Sequence, residues 1–138
     1  VHSKSYRGGM TDSMTAMSIS DVAERTGLST HTLRYYEREG LMLSPIERAS
    51  SSHRRYSEAD LTWVVFLTKL RSTAMPIVTV RRYVELARRG DDTTAERLEL
   101  LLLHRMTVAR QLEEMTASLA AIDYKIGLYE KKKAGTDA

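Results

Sequence analysis

Cysteine is absent from all 138 residues. That removes disulfide frameworks, thiolate metal sites, cysteine nucleophiles and thiol redox switches together. A chain without disulfides is compatible with a reducing cytosol, and the cytoplasm is the expected compartment. Long apolar runs are also missing. The longest, Trp63–Leu67 and Leu100–Leu103, fall far short of the ~20 residues a helix needs to span a bilayer, so no membrane partner is expected. Only 2 prolines and 7 glycines interrupt the chain, leaving long stretches open to helix. No Gly-rich phosphate loop, zinc-protease helix motif or serine nucleophile motif is present, and Glu113-Glu114 read most simply as exposed helix positions. An enzyme is therefore not expected. The histidines, His2, His31, His53 and His104, show no ligand spacing, so neither a metal nor a cofactor is expected.

What is present is the composition of a folded protein, 42% hydrophobic and 28% charged. The length suits one domain, or one small domain with an appendage. The 21 basic and 18 acidic side chains leave a formal charge of +3. With a pI near 9.3, this is a weak pull towards a polyanion. The charge is unevenly placed. Leu61–Gly90 holds 6 basic residues and 1 acidic, mainly Arg71, Arg81, Arg82, Arg88 and Arg89. Residues 18–60 are nearly neutral, yet their arginines bunch at Arg34, Arg38, Arg48, Arg54 and Arg55.

Residues 1–16 have no apolar periodicity and no secretory hydrophobic stretch, and read as a disordered leader. Ser20 is placed to cap a first helix, with Asp21 and Glu24 at the positive end of its dipole. Gly27 then permits a tight turn, and Ser29 caps a second helix that Gly40 closes. Two short helices joined so briefly read as a helix-turn-helix, with Leu33 and Tyr36 turned to the core. Turn-rich residues 44–56 read as a small β-hairpin, or wing. Ser57-Glu-Ala-Asp60 resembles a capping box and opens a third helix, with Leu61, Val64, Val65, Leu67 and Leu70 inward. Ala74-Met75-Pro76 breaks that helix. A fourth runs from Ile77 to about Arg89, with Val80, Tyr83, Val84 and Ala87 inward.

Thr93-Thr-Ala-Glu96 has the spacing of another capping box and opens the longest element. From Leu98, residues three and four apart are Leu101, Arg105, Val108, Leu112, Met115, Leu119, Ile122, Ile126 and Tyr129. That is a coiled-coil seam broken only by Arg105, on a helix roughly 48 Å long at about 1.5 Å per residue. Arg105 either specifies register or marks where the coil opens. One such helix cannot bury its own stripe. The simplest partner is a second copy, with Leu101, Val108, Leu112, Met115, Leu119, Ile122 and Ile126 as dimerisation residues.

The informative motif is Ser29-Thr-His-Thr-Leu-Arg-Tyr-Tyr-Glu-Arg-Glu-Gly-Leu41. At 100° per residue, His31, Arg34, Tyr35 and Arg38 cluster opposite Leu33 and Tyr36. A donor-rich face on the second helix of such a motif fits a DNA major groove, where arginine forks to guanine or phosphate. The free N–H groups beside Ser29 can hold a backbone phosphate. His53, Arg54, Arg55 and Tyr56 add a basic, aromatic cluster at the wing. The bland alternative is a solvated amphipathic helix with Arg–Glu pairs. Two basic elements flanking one small domain favour DNA.

These residues, with Ile19-Ser-Asp-Val-Ala-Glu-Arg-Thr-Gly-Leu-Ser and Arg54-Arg-Tyr-Ser-Glu-Ala-Asp-Leu61, closely resemble the MerR family of bacterial transcription regulators. The resemblance covers about 17–90, with a family-like dimerisation helix following. It implies a mainly α architecture: a winged helix-turn-helix domain over 17–90, then a long dimerisation coiled coil over 91–134 and a tail over 135–138. It also implies operator contacts from Arg34 and Tyr35, backbone contacts from Arg54 and Tyr56, and a homodimer on near-palindromic double-stranded promoter DNA. Such regulators bend and untwist the promoter for RNA polymerase when an effector binds. Two departures stand out: Ser52-His53 replace a Gly-aromatic pair before the wing arginine, and Ala74 stands where the family tends to have Gly.

The effector is the least determined part. Without cysteine, a soft-metal or thiol-oxidation signal is not expected. About nine residues follow Tyr129, too few for a large drug-binding domain. A small-molecule effector would then sit between the fourth helix and the coil, where Trp63, Met75, Tyr83, Tyr124 and Tyr129 are candidate lining residues. Each also reads as ordinary core or seam. The rival functions are a DNA-bending factor without effector and a protein-interaction adaptor.

Overall fold

Ser18, rather than Ser20, starts the first helix. Its hydroxyl accepts from the Asp21 N–H at 3.1 Å, and the Asp21 carboxylate accepts from the Ser18 N–H at 3.1 Å. This reciprocal box satisfies two donors that a helix end leaves open. It has the same Ser-x-x-Asp spacing as Ser57 and Asp60, which box the start of the third helix. Ser20 lies inside the first turn.

The computed structural model describes residues 16–48 and 54–137. The leader assigned to 1–16 lies outside the described residues except for Ala16, and so do Ser52 and His53. The order is α1 (Ile19–Thr26), α2 (Thr30–Arg38), β1 (Glu47–Arg48), β2 (Arg54–Arg55), α3 (Glu58–Ser72), α4 (Ile77–Arg89), a short 3-10 turn (Asp91–Thr93) and α5 (Thr94–Asp137). The mainly helical architecture with a two-stranded wing is the expected one. The strands are antiparallel, with Glu47 opposite Arg55 and Arg48 opposite Arg54. Met17 extends the hairpin through a two-way backbone bridge to Tyr56 at 2.8 and 2.7 Å.

The core gathers Val22 from α1, Leu33 and Tyr36 from α2, Val64, Leu67 and Leu70 from α3, and Val80, Tyr83, Val84 and Leu86 from α4. Two inward assignments are corrected. Val65 is exposed, and Leu86 is buried where Ala87 is only half-buried. Trp63 stacks on Tyr83 with ring centroids 5.9 Å apart and planes at 15°, joining α3 to α4. The Thr93 capping box is also corrected. The buried Thr93 hydroxyl donates to the Leu86 carbonyl at 2.6 Å and accepts from Arg97, while Glu96 pairs with Arg82.

α2 and α3 end in the same way. In α2, the Leu41 N–H donates to the Tyr36 carbonyl and the Gly40 N–H to Glu37, with Gly40 at φ 70°. In α3, Met75 N–H donates to Leu70 and Ala74 N–H to Arg71, with Ala74 at φ 71°. Both are Schellman ends, whose left-handed position favours glycine. Ala74→Gly is therefore expected to stabilise the protein by about 0.5–1 kcal/mol, the relief of Cβ strain less the added entropy of the unfolded chain. Urea unfolding checks this; a lower midpoint would show that Ala74 carries no strain.

The chain divides into two units, one through Arg97 and one from Leu98. The second is the remainder of α5, a helix of 44 residues and roughly 66 Å at about 1.5 Å per residue. It continues through the expected tail to Asp137. No helix of the described residues is long and apolar enough to cross a membrane.

Candidate nucleic-acid interface

α2 is only 9 residues long, too short to persist alone, so caps and packing must hold it. Its Ser29 hydroxyl accepts from the Thr32 N–H at 3.0 Å and bonds the Thr32 hydroxyl at 3.0 Å. Ser29 is thus occupied as a cap, while the N–H groups of the first turn still point out of the helix end. On the inner side Leu33 and Tyr36 are buried, and the Tyr36 hydroxyl meets the Thr68 hydroxyl of α3 at 3.3 Å. The helical phasing of Tyr36 as core is the observed one.

The outer face carries His31, Arg34 and Arg38, all exposed, with Tyr35 half-buried between them. The Arg38 guanidinium lies 5.7 Å from the Tyr35 ring centroid, an i, i+3 cation–π contact that limits the freedom of both. Arg34 makes one long contact to the Thr30 hydroxyl, at 3.5 Å. Among the described residues no carboxylate pairs with Arg34 or Arg38. Two guanidinium groups on one helix face with no carboxylate partner among the described residues retain their capacity for phosphate or guanine.

At the wing, Arg54 and Arg55 form β2, with Arg48 opposite Arg54. His53 lies outside the described residues. Tyr56 is corrected: it is 1% exposed, belongs to the core, and does not lie on the basic face. The backbone bridge to Met17 fixes its strand, and the alternation that leaves Arg55 half-exposed turns Tyr56 inward.

The basic middle segment is differently employed than its charge suggests. Arg71 donates to the Met75 carbonyl at 2.6 Å, and Arg82 pairs with Glu85 and Glu96. Arg81 meets the Glu39 carboxylate at 2.6 Å, and Arg88 donates to the Gly40 carbonyl at 2.7 Å. These arginines splint the domain, and sequence reasoning missed that role. The available signal was the i, i+7 spacing of Arg81 and Arg88, which puts both on one face of α4.

Of the five candidate effector residues, Trp63 and Tyr83 are brought together within the first unit. Trp63 and Tyr83 stack beside Phe66 and line a shallow open hollow with Leu43, Ala59 and Thr62. Met75 is fully buried instead, because the Schellman end of α3 folds it under the helix. Tyr124 and Tyr129 are exposed residues of the second unit. In that unit Leu112, Met115, Leu119, Ile122 and Ile126 are between 48% and 70% exposed, and Leu101 and Val108 half-buried. A single copy leaves the stripe uncovered.

Residues 17–86 match the model of the MerR HTH family of regulatory proteins. An uncharacterized HTH-type transcriptional regulator of Haemophilus influenzae is 38% identical over 112 residues, which cover 81% of this chain and 82% of that protein. The HTH-type transcriptional regulator AdhR of Bacillus subtilis is 39% identical over 62% of this chain and 60% of its own length. Among solved structures, HiNmlR, a MerR family regulator lacking the sensor domain and bound to promoter DNA, superposes with a TM-score of 0.81 at 34% identity. The match covers 86% of this chain and 89% of that one. A putative MerR family regulator from Listeria monocytogenes follows at 0.76 and 34%, over 83% and 86%.

Proposed function

The chain belongs to the MerR helix-turn-helix family and is a DNA-binding transcription regulator, and we propose that it grips a near-palindromic promoter operator as a homodimer. α2 enters the major groove, where Arg34 and Tyr35 read bases while His31 and Arg38 reach bases or backbone. The first-turn N–H groups beyond Ser29 take a phosphate, and Arg54 and Arg55 of the wing grip the flanking backbone. The single observation that carries this reading is the outer face of α2, where Arg34 and Arg38, which pair with no carboxylate among the described residues, flank Tyr35. The likeness to a regulator bound to promoter DNA supports it.

The uncovered stripe of α5 supports a second copy as partner, and two-fold symmetry then sets two half-sites on one face of the DNA, about 34–36 Å apart or a multiple of it. Bending and untwisting such a site costs on the order of a few kcal/mol, offset by phosphate contacts, and realigns a promoter for RNA polymerase. The signal for that change is a small-molecule effector, and no thiolate is available to make it a soft metal. The aromatic hollow around Trp63 and Tyr83 is the best placed of the candidate residues to receive it.

Titration of a labelled promoter duplex over a range of salt tests the reading. A steep negative log–log slope is expected from several neutralised phosphates; a slope near zero would sink it. Arg34→Ala is expected to cost about 1–3 kcal/mol of operator affinity and to relax base preference at its position. An unchanged preference would remove Arg34 from the reading face.

A further inference from the structure

Past the last turn of α2, four consecutive backbone carbonyls each accept from a side chain of α3 or α4. Arg81 Nη1 donates to the Glu39 carbonyl at 2.9 Å, while its Nη2 holds the Glu39 carboxylate at 2.6 Å. Arg88 Nη2 donates to the Gly40 carbonyl at 2.7 Å. Trp63 Nε1 donates to the Leu41 carbonyl at 2.8 Å, and Arg88 Nε donates to the Met42 carbonyl at 3.1 Å. Chain leaving a helix normally gives such carbonyls to water. Here three side chains close them all, in the segment that connects the reading helix to the wing.

We propose that Arg81, Arg88 and Trp63 are positioning residues for sequence reading: they clamp the exit of α2, so that Arg34, Tyr35 and Arg38 meet the bases at one fixed pitch. This rests on the DNA-binding reading of α2 given above. α2 is short, and its inner face is anchored mainly by Leu33 and Tyr36. Two buried side chains on one face of so short a helix, with Leu41 and Met42 buried just beyond it, fix its depth on the core better than its tilt. The clamp removes that tilt at the C-terminal end, next to Arg38. Base contacts need a bidentate alignment that a tilted helix loses, whereas phosphate attraction tolerates small displacements. The clamp therefore bears on specificity and leaves non-specific affinity alone.

Arginine is required for this role, because a planar fork bridges the Gly40 and Met42 carbonyls and an ammonium is a point charge. The role is thereby separable from that of a phosphate contact, which lysine would preserve. The test compares the parent protein with Arg88→Lys, Arg88→Gln and Arg81→Gln. Each is titrated against an operator duplex enriched by the parent from a randomised library, and against a scrambled duplex of equal length, at several salt concentrations. The expected result is a loss of about tenfold in operator affinity for both Arg88 variants, with scrambled-duplex affinity and salt slope unchanged. Equal losses on both duplexes, with a slope shallower by about one and restored by lysine, would make Arg88 a phosphate contact and overturn the proposal. A folded variant with an unaltered ratio would reduce the clamp to a stability feature and overturn it equally.

If an arginine variant fails to fold, Trp63→Phe decides. It removes only the donor to Leu41 while keeping an aromatic ring beside Tyr83, and a fall of about threefold in the same ratio is expected; no fall overturns the proposal. A parent protein that shows no preference between the duplexes overturns the base-reading role of α2 itself. That outcome is distinct from a parent that discriminates and variants that discriminate as well.

Discussion

Leu119→Asp is expected to convert the proposed dimer to monomers and to reduce operator affinity by more than about a hundredfold at concentrations where the parent is dimeric. Leu119 is 56% exposed in the single chain and sits about two-thirds of the way along a stripe that runs from Leu98 to Tyr129. Covering a leucine or isoleucine contributes about 1.5–3 kcal/mol. A symmetric interface loses that contribution from both copies and gains two carboxylates that must stay hydrated. The sum is at least about 4 kcal/mol, a thousandfold in the dimer dissociation constant. A monomer holds one half-site, so the second site no longer adds its affinity through tethering. Sedimentation equilibrium reads the assembly, and the operator titration reads the consequence.

Ala117→Asp is the control, since residue 117 is also exposed and lies on the helix face away from the stripe, and the substitution adds the same charge. Its assembly and affinity should match the parent. A Leu119→Asp protein that remains dimeric would place the interface elsewhere and leave the stripe without a role in assembly. Both variants leave the unit through Arg97 untouched, so its unfolding transition is an internal check that the lesion is confined to association.

The parts of this molecule legible in its sequence are those set by local rules. Gly27 and Gly40 occupy left-handed positions, Ser29 and Ser57 cap helices, and the opposition of Leu33 and Tyr36 to Arg34 and Arg38 follows from 100° per residue. Those rules were enough to find the helix-turn-helix and its outer face. Most of the misses involve partners distant in sequence, and the others depend on burial. Tyr56 reads as a wing aromatic until the backbone of Met17, nearly forty residues earlier, bridges to it and fixes which way its strand faces. Arg81 and Arg88 read as part of a basic patch until the carbonyls of residues 39–42, on another helix's exit, claim them. Thr93 reads as a cap until burial turns its hydroxyl to Leu86. Charge counted along a chain cannot tell a guanidinium that awaits an anion from one already holding carbonyls. The Ser18 box is a different case. Its Ser-x-x-Asp spacing was plain, and the more central Ser20 simply competed for the same role.

Leu33 and Arg34 are adjacent in sequence, and their substitution by alanine should separate folding from recognition. Leu33 is 1% exposed, and it is the largest apolar anchor of α2 beside Tyr36. Leu33→Ala removes that packing and leaves a cavity between α2 and the rest of the core, at an expected cost of about 2–5 kcal/mol. That is a large share of the roughly 5–15 kcal/mol that hold a small domain together, so the urea midpoint should fall steeply with little change in slope. Arg34→Ala takes an exposed side chain with no ion pair among the described residues, and should shift the midpoint by no more than about 0.5 kcal/mol. In the operator titration the order inverts. Arg34→Ala loses affinity at every temperature, whereas Leu33→Ala, below its transition, keeps the side chains that touch DNA. Operator DNA binds only the folded form and should therefore raise the Leu33→Ala midpoint in proportion to the logarithm of its concentration. A Leu33→Ala protein as stable as the parent would mean that α2 is not seated on the core through this residue, and the fixed pitch required of a reading helix would then have to come from the Tyr36–Thr68 contact and the clamp at its exit alone.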